Sequence, residues 1–85
     1  MEKYKIEIKR SAVKEIKALP APVVRKILTQ IASLSEDPRP SQSRKLSGDE
    51  KYRIRCGDYR ILYAIQDKIL TVCVVKVGHR REVYR

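Results

Sequence analysis

KYRIRCGDYRILYAIQDKILTVCVVKV, residues 51–77, decides the fold. Tyr52, Ile54 and Cys56 alternate with Lys51, Arg53 and Arg55, the period-two pattern of a strand with one face on a core and the other in water. Gly57-Asp58 makes a turn, Tyr59 to Gln66 reads as a second strand, Asp67-Lys68 as a tight turn, and Ile69 to Val77 as a third strand. Turns this short join neighbours, so the three strands form an antiparallel meander. Ile69-Leu70-Thr71-Val72-Cys73-Val74-Val75 is apolar at successive positions, which places its strand centrally, covered on one face and at least in part on the other.

Working outward from the meander, Tyr4-Lys5-Ile6-Glu7-Ile8-Lys9 alternates in the same way and predicts a further strand beside it. Ser11 is placed to cap a helix carrying Ala12, Val13, Ile16 and Leu19, and Pro20 ends it. Pro22 suits the first turn of a second helix, in which Val24, Ile27, Leu28, Ile31 and Leu34 recur at three- and four-residue spacings while Arg25, Lys26 and Gln30 turn outward. From Ser35 to Glu50, Pro38, Pro40 and the Ser, Asp and Gly content favour a long loop pinned by Leu46. The fold class is therefore α+β: an N-terminal strand, a helical hairpin, then a three-stranded meander completing a mainly antiparallel sheet with the helices on one face. Residues 1–85 are read as a single domain.

At 85 residues the chain has one small core, and folding hides only about 60–65 % of the surface an unfolded chain exposes. An apolar content of 42 % is too high for a chain that stays disordered. No apolar run approaches the roughly 20 residues needed to cross a bilayer, and the stretch after Met1 is too short for a secretory signal, so a cytoplasmic location and no membrane partner are expected. Cys56 and Cys73 lack metal-site spacing and read as reduced thiols, with an interstrand disulfide or redox role as the other reading. Nothing in the sequence calls for a cofactor.

Twenty Lys and Arg against ten Asp and Glu give a net charge of +10. Such an excess favours anionic partners, RNA foremost, although acidic proteins gain from the same field. The charge is patterned. Lys51, Arg53 and Arg55 share one strand face, and Arg60 follows across the turn, near Arg53 and Arg55 if the register allows. Arg39, Arg44 and Lys45 project from the long loop. Gly78 is expected to allow a turn or bulge, so that His79, Arg80 and Arg81 leave the sheet at its rim as a second basic group. If the two groups line one face, guanidinium forks match phosphate oxygens. A solvated basic face is the plainer alternative.

Cleavage of RNA through its own 2′-OH requires deprotonating that hydroxyl, stabilising charge on phosphorus and protonating the departing 5′-oxygen. Arginines can do the second of these. His79 is the only imidazole, the side chain that ordinarily titrates nearest neutrality, and stands open between a chemical role and local hydrogen bonding. Tyr59 and Tyr84 offer ring faces for stacking on bases, or for packing on the sheet.

Three pieces taken together, Arg44-Lys45-Leu46-Ser47-Gly48, Tyr52-Arg53-Ile54-Arg55-Cys56-Gly57-Asp58-Tyr59-Arg60-Ile61-Leu62-Tyr63, and Val77-Gly78-His79-Arg80-Arg81-Glu82-Val83-Tyr84, carry a resemblance. Over essentially its whole length the chain resembles the RelE branch of the RelE/ParE toxin superfamily. That resemblance implies the toxin of a toxin-antitoxin pair with a small cognate antitoxin as partner. It implies a metal-independent, ribosome-dependent endoribonuclease that cuts mRNA in the A site by 2′-OH attack, leaving a 2′,3′-cyclic phosphate and a 5′-hydroxyl. Carried over residue by residue, the catalytic positions are Arg53, Arg55, Arg60, Arg80 and Tyr84; the charge pattern itself adds Arg44, Lys45, Lys51, His79 and Arg81 as expected RNA-binding positions.

The chain also departs from that pattern. The two alternating positions are lysines in the best-known bacterial member and arginines here, and a guanidinium keeps the proton that an ammonium can give up. Base catalysis by Arg53 or Arg55 is therefore not expected. Ending at Arg85, the chain is expected to lack the further C-terminal helix of some relatives. The ParE branch, which inhibits DNA gyrase, supplies a competing reading as a protein-binding toxin, and a plain nucleic-acid-binding module supplies a third.

Overall fold

The computed structural model describes residues 3–46 and 51–79. Among them the sequence forms β1 (Lys5–Ile8), α1 (Arg10–Lys17), α2 (Ala21–Ser33), β2 (Arg44–Lys45), β3 (Lys51–Cys56), β4 (Tyr59–Gln66) and β5 (Thr71–His79). The strands make one sheet in the order β1-β5-β4-β3-β2. β1 runs parallel to β5, with Ile6 opposite Val72 and Ile8 opposite Val74, and the other pairs are antiparallel. β5 is thus the buried strand that its unbroken apolar run called for. The parallel pair is possible because the helical hairpin provides the long connection such pairing requires.

One sheet face carries Ile54, Ile61, Tyr63, Val72, Val74 and Val77, all almost fully buried, and packs against Ala12 and Ile16 of α1 and Ile27 and Ile31 of α2. The apolar spacing in the helices puts these side chains on their inner stripe, so burial of that stripe holds the hairpin to the sheet. Pro22 lies in the first turn of α2, as its fixed φ suits. α1 begins one residue before Ser11, with Lys9 as its N-cap and no side-chain cap. The Lys9 N–H instead donates to the carbonyl of Val74 at 2.8 Å, so β-type pairing with β5 continues to the helix boundary and fixes where the helix starts.

Three further expectations need correction. The long loop contains a short strand: Arg44 pairs with Arg53 and Lys45 with Tyr52, and the Leu46 N–H donates to the Lys51 carbonyl at 2.8 Å. The link between β4 and β5 is a 3-10 turn, Asp67–Ile69, closed by Leu70 in the left-handed region at φ 46°. This moves the start of β5 to Thr71 and leaves Ile69 65 % exposed. Gly78 is neither a turn nor a bulge, because β5 runs through it to His79. The irregularity falls earlier, where Leu62 opposes Lys76 but Tyr63 opposes Val74, so Val75 is the extra residue.

Cys56 lies on the helical face of β3 and Cys73, opposite Ala64, on the other face of β5, with β4 between them. Side chains on opposite faces of a sheet cannot form a bridge without moving the backbone. Both thiols are free. Burial pushes the Cys56 thiol's pKa up, which makes it less reactive as a nucleophile. Among the described residues, no helix is long and apolar enough to cross a membrane.

Candidate functional site

Directly opposed residues in a sheet point to the same side, so the register fixes the uncovered face. Arg55 opposes Arg60, which in turn opposes Gly78, a residue with no side chain. In the next row Arg44 opposes Arg53, Arg53 opposes Leu62, and Leu62 opposes Lys76. Lys51 stands two residues from Arg53 on the same side. Five cations from β2, β3 and β4, joined by Lys76 from β5, therefore share the face that the helices leave open. Arg53 and Arg60 are diagonal neighbours, a separation of roughly 7–8 Å between backbones that two long guanidinium side chains close easily.

The bulge at Val75 is what brings Lys76 there. Strict alternation from Val74 would turn Lys76 inward; the extra residue resets the phase, so that Val77 is buried and Lys76 faces out. α1 then secures this end of β5. Glu15 accepts from the backbone N–H of Val77 at 3.1 Å and from the Lys76 ammonium at 3.3 Å, covering an edge that β1 is too short to pair.

Other sequence-derived candidates lie elsewhere. Lys45 opposes Tyr52 and so points away from the arginines. His79 opposes Tyr59, and their rings meet edge to face with centroids 5.8 Å apart. Both belong to the helical side, so His79 is held off the arginine face and Tyr59 packs on the sheet. Arg80, Arg81 and Tyr84 lie outside the described residues.

A polar network that sequence reasoning missed anchors the loop leading to Arg44. Arg39 makes a two-pronged pair with Asp67, at 3.2 and 2.9 Å, and its Nε donates to the Tyr52 hydroxyl at 3.0 Å while the guanidinium lies over the Tyr52 ring. The Tyr4 hydroxyl donates to the same carboxylate at 2.6 Å. Tyr63 stacks beside Tyr52 and donates its hydroxyl to the Pro38 carbonyl at 2.8 Å. Burial pushes the Tyr63 phenol up to about 12, so it remains a donor at physiological pH. The only sequence hint of this network was a loop arginine between two prolines.

Arg39, and after it Tyr4, holds the Asp67 carboxyl down at about 2. A carboxylate with a lowered folded-state pKa stabilises the fold above its unfolded-state pKa, and that contribution disappears as pH falls from about 4 to about 2. Asp67→Asn is therefore expected to melt below the parent at pH 5–7, with the difference closing toward pH 2. A melting difference that does not vary with pH would contradict the assignment.

Among the described residues, guanidinium groups from three neighbouring strands thus share the sheet face opposite α1 and α2. The family described as the ParE toxin of type II toxin-antitoxin systems, parDE, matches residues 6–84. Toxin RelG of Mycobacterium tuberculosis is 30 % identical over 87 residues, covering 96 % of this chain and 97 % of its own. The toxin in the archaeal RelE-RelB complex of Pyrococcus horikoshii superposes with a TM-score of 0.83 at 30 % identity, covering 94 % of this chain and 98 % of its own. The intact Escherichia coli RelBE toxin-antitoxin complex gives a TM-score of 0.78 at 29 % identity, over 89 % and 95 %. The chain belongs to the RelE/ParE toxin superfamily.

Proposed function

We propose that this chain is the toxin of a type II toxin-antitoxin pair and acts as a ribosome-dependent endoribonuclease on mRNA in the A site. The observation that supports this reading is the register that sets Arg55 directly opposite Arg60 with Arg53 diagonal to it, on the sheet face opposite α1 and α2. Guanidinium forks on adjacent strands match the oxygens of a phosphodiester, which such a pair can grip from two sides.

In the proposed reaction the 2′-oxygen attacks the adjacent phosphorus, the bond to the 5′-oxygen breaks, and the products carry a 2′,3′-cyclic phosphate and a 5′-hydroxyl. The 2′-OH proton passes to a base and the 5′-oxygen takes up a proton. Arg60 stabilises the charge that grows on the phosphoryl oxygens, while Arg53 and Arg55 position the backbone and lower the proton affinity of the 2′-oxygen. The resemblance adds Arg80 as a second clamp and Tyr84 as a stacking or proton-transfer group. A strand positioned by the ribosome supplies the in-line geometry that a guanidinium cluster alone does not impose. The solved RelE-RelB pairs support a cognate antitoxin as the protein partner.

Purified toxin incubated with programmed ribosomes is expected to cut the message much faster than it cuts the same RNA free in solution, leaving 5′-hydroxyl ends and unaltered gyrase supercoiling. Intact message together with inhibited supercoiling would transfer the assignment to the gyrase-directed reading.

A further inference from the structure

A second basic concavity lies around the edge of β3 from the arginine face. It is an open cleft of about 390 Å³ between α2 and the β3–β4 turn, lined by Arg25, Lys26, Thr29, Gln30, Arg55, Cys56 and Gly57. Arg25 and Thr29, and likewise Lys26 and Gln30, are four residues apart, so each pair shares a flank of the helix. Thr29 gives its hydroxyl hydrogen to the Arg25 carbonyl at 2.9 Å. The side-chain donors left to meet a ligand are then the Arg25 guanidinium, the Lys26 ammonium, the Gln30 amide and Arg55. Lys26 lies near enough to Cys56 for its charge to act on the thiol. Among the described residues lining the cleft, none is acidic.

We propose that this cleft binds the phosphodiester backbone of single-stranded RNA, as a continuation of the track that begins on the arginine face. Arg55 belongs to both surfaces, so a strand with one phosphate among Arg53, Arg55 and Arg60 meets Arg25 and Lys26 with its neighbouring phosphates as it rounds the β3 edge. β2 pairs with Arg53 and Tyr52, so among the described residues no strand lies across the path beside Ile54 to Cys56. Among the described residues lining the cleft there is no aromatic or large aliphatic side chain, so a folded protein partner would find only cations and small polar groups to anchor on. Cations with a few amide donors are instead the composition of a contact that holds a backbone without reading bases. The inference rests on the RNA-binding part of the proposed function and not on the cleavage chemistry.

The test uses the full chain and a fluorescein-labelled 12-nucleotide RNA with every 2′-OH methylated, which binds but cannot be cut by 2′-OH attack. Anisotropy titrations from 50 to 200 mM KCl compare the parent with Arg25→Ala/Lys26→Ala. Two lost phosphate contacts are expected to lower the slope of log affinity against log salt by about 1.4 and to weaken binding roughly tenfold at the lower salt. Both residues are exposed on α2, and Arg25→Gln/Lys26→Gln replaces the alanine pair if the latter unfolds. An unchanged slope and affinity would overturn the proposal. So would a variant that loses affinity for poly-L-glutamate while keeping its RNA affinity, since that marks an acidic protein segment as the occupant. Arg60→Ala, tested beside it, separates the two ideas: unimpaired cleavage there defeats the arginine-face chemistry, whereas the cleft is judged by the α2 variants alone.

Discussion

Replacing Arg60 with alanine is expected to slow cleavage of ribosome-bound message by about 10²–10³-fold, the loss typical of removing one donor aimed at charge that develops in a transition state. Arg60 holds this place because of register: it opposes Arg55 on one side and Gly78 on the other, so it stands in the middle strand of the basic face. Its side chain lies off the core, and stability should stay within about 1 kcal/mol of the parent. Arg60→Lys keeps the charge but loses the planar fork that meets two phosphate oxygens, and should fall between the parent and the alanine variant. The pair of measurements is single-turnover cleavage on programmed ribosomes and thermal melting. A well-folded Arg60→Ala protein that cuts within threefold of the parent would remove Arg60 from the chemistry.

Tyr63→Ala is expected to cost about 3–5 kcal/mol, as for other large buried aromatic truncations. Tyr63 is fully buried, stacks on Tyr52, and carries the hydroxyl that holds Pro38. Against a total stability of about 5–15 kcal/mol for a domain, that loss removes a large share of the margin that keeps the chain folded. Tyr63→Phe separates the two contributions. It keeps the ring and removes only the donor to the Pro38 carbonyl, at a cost of about 1–2 kcal/mol. Urea denaturation of both variants checks the assignment, and a loss below about 1 kcal/mol for Tyr63→Ala would show that the ring does not carry the packing assigned to it.

The meander and its polarity were legible because residues 51–56 alternate without a break, which fixed Arg53 and Arg55 on one side and the core residues on the other. The helical hairpin was legible from its prolines and apolar spacing. The β2 pairing was not, since a two-residue strand has no periodicity and forms only because the β3 edge offers unpaired backbone groups. The bulge at Val75 was equally hidden: in a run that is apolar on both faces, an extra residue leaves the pattern unchanged, so neither the outward turn of Lys76 nor the inward turn of His79 could be read. Arg39 and Asp67 are 28 positions apart, and charged residues so far apart give no sequence signal of their pairing. For the same reason Arg25 and Lys26 read only as the wet side of a helix until the β3–β4 turn was set against them.

Whether Arg53 and Arg60 hold one and the same phosphate is tested most directly by a double-mutant cycle on single-turnover cleavage of ribosome-bound mRNA. If one phosphate joins them, Arg53→Ala/Arg60→Ala should lose much less than the product of the two single losses, because the second removal finds the shared contact already broken. Losses that simply multiply would mean that the two guanidinium groups act on separate parts of the substrate.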